Sequence, residues 1–141
     1  DTDPINFERK AKMGTAAQLE HTNFTVTDPD ATAKWMCKLF DWHVRWTGGS
    51  REVGYSVHVG TDTHYLALYV PKEGGVKARE DNYTTKGGLN HIAVVVDDID
   101  AMRTRVIDNG FTPGEHYDYE PGQRFYFYDD DGIEYEVVQY D

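Results

Sequence analysis

The sequence predicts an α+β fold assembled from two similar modules, each a strand, a helix and further strands. Three observations lead there. LEHTNFTVTDPDA, beginning at Leu19, returns as LNHIAVVVDDIDA, beginning at Leu89, an offset of 70 residues (89 minus 19). Leu19/Leu89, His21/His91, Val26/Val96, Asp28/Asp98, Asp30/Asp100 and Ala31/Ala101 match at that offset. A repeat of this period implies two supersecondary units whose equivalent positions can face each other across a pseudo-twofold axis. Both copies pass from an alternating run into a helical pattern. At 141 residues and 16.1 kDa the chain suits one domain, so the two modules should share a core.

The first 18 residues, DTDPINFERKAKMGTAAQ, are polar, aperiodic and without the apolar run of a secretory signal. They read as an arm or extension, with Met13 as an alternative start. Residues 19–141 form the domain, with module one at about 19–71, a connector at about 72–87 and module two at about 88–141.

Glu20 to Thr27 reads as a strand, with His21, Asn23 and Thr25 on one face and Thr22, Phe24 and Val26 on the other. Asp28 then caps a helix that Pro29 opens, and Ala31, Trp35, Leu39 and Phe40 form its apolar stripe. His43 falls near the end of that helix, where a cation suits the C-terminal dipole. Gly48 and Gly49 mark a turn. Glu52 to Val59 and His64 to Val70 are strands, the second ended by Pro71 and the Gly74-Gly75 pair. The polar, glycine-bearing connector suits a plain linker or a mobile flap over a cleft.

Module two repeats the order. Asn90 to Val96 is a strand, a helix runs from Ile99 to a C-terminal cap at Asn109-Gly110, and Arg124 to Tyr128 and Glu134 to Gln139 are later strands. Asp129, Asp130, Asp131 and Gly132 between the last two are turn chemistry; a calcium loop would need alternating ligands and a distant bidentate carboxylate.

With 39% hydrophobic and 13% aromatic residues, the composition is globular, and no apolar run approaches a membrane span. A net charge of −11 repels phosphate backbones and anionic membrane surfaces, which argues against nucleic acid and membrane partners. The expectation is a cytoplasmic protein, provided the N-terminus is not processed. The one cysteine, Cys37, lies among Trp35, Met36 and Leu39 and reads as a core thiol.

Two facing histidines are half of a metal site. Laying Tyr65-Leu66-Ala67-Leu68 over Glu134-Tyr135-Glu136-Val137 pairs Ala67 with Glu136, so only module two supplies a carboxylate. His21, His91 and Glu136 make a two-histidine, one-carboxylate set, which leaves three faces of an octahedral ion open. Fe(II) suits such a set best, with Mn(II), Zn(II), Ni(II) and Co(II) as alternatives. His58, on a central strand, and Tyr55, Tyr65 and Tyr69 are candidates for a pocket wall or for core packing.

From Leu19 onward these residues resemble the vicinal oxygen chelate superfamily of glyoxalases, bleomycin-resistance proteins and extradiol dioxygenases. LEHTNFTV and LNHIAVVV are similar to the first strands of its two βαβββ modules, and FYDDDGIEYEVVQ to its F-x-D-P-D-G-x-x-I-E-L ending. The resemblance implies curled mixed sheets around a shared cleft, the glyoxalase/dioxygenase fold, with metal ligands on the first and last strands of each module. His21, His91 and Glu136 fall on three of the four ligand positions.

Glyoxalase I and methylmalonyl-CoA epimerase carry Glu or Gln at the fourth, where Ala67 cannot accept a proton. Extradiol dioxygenases leave it without a ligand. Their resemblance extends to His64 in the H-x-x-A-L segment, as acid-base catalyst, and to Tyr126, ten residues before Glu136, against the substrate. It also implies substrate contacts for Asn23 and for His116 in Gly114-Glu115-His116, although the spacing to Tyr126 is about one residue longer than theirs.

The expected function is a divalent-metal-dependent enzyme, with an Fe(II) extradiol-type dioxygenase acting on a small catechol-like substrate in first place. A glyoxalase I-like lyase or isomerase is one alternative, and a metal-free small-molecule binder like the bleomycin-resistance proteins is another. Extradiol enzymes of this type mostly have four modules. The resemblance therefore also implies a homodimer that completes the fold or the pocket.

Overall fold

The structure is a computed structural model that describes residues 16–73 and 75–141. The expected arm over 1–15, Met13 and Gly74 lie outside the described residues.

Strand β1 (His21–Thr25) leads into helix α1 (Pro29–Phe40), followed by β2 (His43–Ser50), β3 (Gly54–Gly60) and β4 (Tyr65–Val70). The order then repeats as β5 (Ile92–Val95), α2 (Ile99–Asp108), β6 (Tyr117–Tyr119), β7 (Gly122–Tyr128) and β8 (Glu134–Tyr140). Two four-stranded mixed sheets result, ordered β1-β4-β3-β2 and β5-β8-β7-β6. The arrangement is the α+β fold that the repeat predicts. In each sheet the first strand runs parallel to the last, and the remaining pairs are antiparallel. The parallel pair requires a crossover, which the helix supplies.

Local chemistry sets the helix ends. Asp28 Oδ1 accepts from the amides of Asp30 (3.1 Å) and Ala31 (3.3 Å), and Asp98 Oδ1 from that of Ala101 (3.0 Å). These satisfy amides that the first turn leaves free. Asn109 caps α2 and Gly110 follows at φ 89°, as its sequence suggests.

Both helices pack on one core. Met36 and Leu39 of α1 and Val106 of α2 are fully buried with Val57, Val59, Leu68, Phe125, Phe127, Tyr135 and Val137. The Trp35 ring makes edge contacts with Phe111, Phe127 and Tyr135, so the helix of module one packs against the sheet of module two. Cys37 is half-buried against this core, and burial pushes its thiol up.

Two expectations need correction. Gly48 and Gly49 do not turn the chain: they pair with Ser56 and Tyr55 inside β2. The Trp46 ring lies across Gly48, where an added Cβ would meet it at 2.0 Å, and Gly49 holds a positive φ of 86°. Close packing and backbone conformation demand the glycines there, and the reversal falls after Ser50. His43 opens β2 and does not end α1; its Nε2 lies 3.3 Å from Asp62 Oδ1. The three-residue β6 carries no period in the sequence, being an exposed edge strand with no buried face to impose alternation.

Candidate functional site

Strand register fixes the correspondence between the modules. His21 lies opposite Tyr65 and Asn23 opposite Ala67; Ile92 lies opposite Tyr135 and Ala93 opposite Glu136. Ala67 and Glu136 thus each face the residue two beyond a histidine, as the alignment of the last strands predicts.

On the second sheet, alternation turns Phe125 and Phe127 of β7 and Tyr135 and Val137 of β8 into the core. Arg124, Tyr126, Tyr128, Glu134 and Glu136 project from the opposite face. His91, just before β5, joins them there. Its Nε2 lies 3.4 Å from Glu136 Oε1. The other carboxylate oxygen, Oε2, accepts from Arg124 Nη1 (3.1 Å) and the Tyr126 hydroxyl (3.1 Å). Glu136 is 7% exposed, so its charge is held by these partners and little by water. Burial, with the bond to Glu136, pushes the Tyr126 phenol up, which keeps it a donor at neutral pH.

A second carboxylate backs the histidine. Glu134 Oε1 lies 3.5 Å from His91 Nδ1, and Glu134 accepts from the hydroxyls of Tyr83 and Tyr128, the latter at 2.8 Å. Tyr83 comes from the connector, and its oxygen is 3.2 Å from His91 Nδ1. The bond to Glu134 pushes the Tyr83 phenol up to about 12.

The first sheet carries the other histidine. His21 Nδ1 lies 2.9 Å from Glu20 Oε1, and its ring stacks on Tyr65 at 4.9 Å. Tyr65 stacks in turn on His58, which meets Trp46, so an aromatic row crosses the sheet. Hydrogen bonds from His21 and Tyr65 hold the Glu20 carboxyl below its ordinary value, and burial lowers His58. His21, His64, Tyr65 and His91 line one cavity of about 540 Å³ between the heads of the two modules. The His64 Nδ1 there lies 3.0 Å from Thr63 Oγ1.

Of the predicted site residues, His91, Glu136 and Tyr126 are therefore in mutual contact. His21 and His64 share the His91 cavity but stand on the other sheet. Asn23 lines a different cavity of about 880 Å³, with Lys77, Arg79, Asp130 and Asp131. His116 bonds Gln123 through Nε2 at 2.9 Å, apart from the others. Among the described residues no three His, Cys, Asp or Glu side chains converge on one point. Sequence reasoning missed Arg124, although period-two alternation from Tyr126 reaches it. It also missed Glu20, Tyr83 and Glu134.

The family model of the Glyoxalase/Bleomycin resistance protein/Dioxygenase superfamily matches residues 18–137. The chain belongs to that superfamily. A glyoxalase/bleomycin resistance protein/dioxygenase domain from Frankia sp. EAN1pec has a TM-score of 0.74 at 21% identity, covering 90% of this chain and 100% of its own. A variant of the fosfomycin resistance protein FosX from Listeria monocytogenes, complexed with Mn(II) and 1S,2S-dihydroxypropylphosphonic acid, scores 0.70 at 19% identity, covering 88% and 93%. TnmS3, an antibiotic binding protein from Streptomyces sp. CB03234, scores 0.68 at 16% identity, covering 90% and 98%. At these identities the likeness is one of fold, and in this superfamily fold alone does not choose between chemistries. No match was found among curated proteins.

Proposed function

We propose that this superfamily member is a divalent-metal-dependent enzyme acting on a small bidentate substrate, with Fe(II) and a catechol-like diol the first choice. The observation that carries the proposal is the facing pair His91 Nε2 and Glu136 Oε1 at 3.4 Å. Two ligand atoms at about 2.1 Å from one ion, at right angles, stand roughly 3 Å apart, so the pair fits adjacent positions of a coordination sphere. Arg124 and Tyr126 occupy Glu136 Oε2 and so leave Oε1 as the oxygen available to a cation.

His21 would be the third ligand. It stands on the other sheet, and we assign it to a second copy of the chain. Among the described residues, strands β1 and β5 each pair on one side only, which leaves their outer edges available for association.

A bound divalent ion would lower the pKa of a coordinated substrate hydroxyl and hold the reactants together. The remaining work falls to side chains. His64, which precedes β4 on the sheet of His21 and so comes with it from the second copy, takes up and returns the substrate proton. Tyr126, kept protonated, turns its hydroxyl from Glu136 Oε2 to a developing oxyanion. Asn23 and His116, the other proposed substrate contacts, lie outside this cluster and would need the second copy to approach it. Ala67 offers no carboxylate for the proton transfer of a glyoxalase-type isomerisation, which places the lyase reading below the dioxygenase.

A metal-free binding protein is the second reading. It is favoured by the lack of three convergent ligands among the described residues and by the net charge of −11, which suits a cationic ligand. Oxygen uptake by anaerobically Fe(II)-loaded protein, screened against substituted catechols, separates the readings. Turnover that falls at least tenfold in Tyr126→Phe is expected. Iron-loaded protein that consumes no oxygen with any diol would contradict the dioxygenase.

A further inference from the structure

The two histidines have matching surroundings at Nδ1, built from positions that do not correspond. For His21 the carboxylate is Glu20, the preceding residue, and the phenol is Tyr65, which donates to Glu20 Oε1 at 3.1 Å. For His91 the carboxylate is Glu134 of the neighbouring strand, and the phenol is Tyr83 of the connector. Glu134 and Tyr65 occupy the same register position, so module two carries a carboxylate where module one carries the phenol, and it takes its phenol from the connector. Asn90 stands where module one has Glu20. The duplication cannot have copied this arrangement; two different sets of residues arrive at one chemistry.

Counting protons fixes what that chemistry is. A carboxylate has no hydrogen to give, so a contact between His21 Nδ1 and Glu20 requires the hydrogen on Nδ1. Tyr83 has a single hydrogen, which goes to Glu134. The Tyr83 oxygen can then only accept from His91 Nδ1. A neutral imidazole with its hydrogen on Nδ1 carries its lone pair on Nε2. For His91 that lone pair faces Glu136 Oε1, a second acceptor, and two acceptors so placed are bridged either by a metal cation or by a second proton on the imidazole.

We propose that Glu20 and Glu134, each with its tyrosine, are positioning residues that fix His21 and His91 as Nδ1–H tautomers and present Nε2 as the free donor atom. The proposal rests on the metal reading for its purpose, and the connector acquires a role through it: Tyr83 delivers the hydroxyl that completes the surroundings of His91. Carboxylates that orient ligand histidines typically change metal affinity by roughly 10–100-fold when removed.

The test uses metal-free, 15N-labelled protein at about pH 8, above the ordinary histidine pKa, with long-range proton–nitrogen correlation to assign each tautomer, and Zn(II) as the binding probe. Nδ1–H signatures are expected for both histidines in the wild type. Glu134→Gln should shift His91 towards a tautomer mixture and weaken Zn(II) binding by roughly 10–100-fold. Glu20→Gln should shift His21 alone, and Tyr83→Phe should act on His91 in the direction of Glu134→Gln while sparing the carboxylate. An Nε2–H signature in the wild type overturns the inference, as does a His91 tautomer unmoved by both Glu134→Gln and Tyr83→Phe. Tautomers that respond as stated in a protein that takes up no Zn(II) would support the inference and sink the metal reading.

Discussion

Asp129 lies at the β7–β8 reversal with a buried carboxylate that serves three donors. The amides of Asp131 and Ile133 reach it at 2.9 Å each, and the Tyr135 hydroxyl at 2.9 Å. Asp129 thus serves the turn, as the sequence suggests, whereas the Asp131 carboxylate accepts from the amide and hydroxyl of Thr27 in the other module. Removing the acceptor strands a buried hydroxyl and two amides, whereas removing the hydroxyl leaves a carboxylate with two donors. Asp129→Ala should cost about 3 kcal/mol and Tyr135→Phe about 1 kcal/mol in denaturant unfolding. Burial also raises the Asp129 carboxyl above its ordinary 3.8, against the pull of its hydrogen bonds. A raised folded-state pKa means that the native protein binds the proton more tightly than the unfolded chain. The contribution is full below 3.8 and is lost as pH rises through the folded value. Unfolding of wild type and Asp129→Asn compared across that window should show the wild type losing ground to the variant as pH rises; a constant difference would contradict the assignment.

At the scale of elements, the packing of α1 on the second sheet joins the two modules. Trp35 carries that contact through Phe111, Phe127 and Tyr135, and its replacement by Ala should cost about 3–5 kcal/mol in a single cooperative transition. A biphasic melt of the variant, with one module unfolding early, would show the joint to be weaker than described. The strands and helices around the repeats were legible because burial on one face leaves a period in the sequence. His21, His91, Glu136 and Tyr126 could be placed for that reason: a duplicated strand and an alternating one fix which way each points. Strand β2 was harder to see, since glycine serves both turns and close approach, and only the Trp46 ring across Gly48 tells them apart. Tyr83 left no signal, because a tyrosine in a polar connector carries no period that says what it touches. Glu20 and Glu134 were visible as strand residues, but which histidine atom each would meet depends on side-chain placement across strands.

At the scale of the whole molecule, His21 and His91 line a shared cavity from different sheets, and Glu136 stands beside His91. If two copies exchange these halves, each site contains His21 from one chain and His91 with Glu136 from the other. Mixing His21→Ala and His91→Ala chains then regenerates one intact site in every mixed dimer. Metal uptake should recover to about half of one site per mixed chain although neither variant binds alone, with a dimer found by light scattering. Absent recovery in demonstrably mixed dimers would assign the three ligands to a single chain.

The proposed chemistry requires that His91 and Glu136 hold a divalent ion. Anaerobic calorimetric titration of the metal-free protein with Fe(II), with His91→Ala and Glu136→Ala prepared in parallel, tests this most directly. One site per chain in the wild type, weakened at least a hundredfold in both variants with their folds intact, is the predicted result. A wild type that binds no Fe(II), Zn(II) or Ni(II), or variants that bind as tightly as it does, would contradict it and leave the metal-free binding protein.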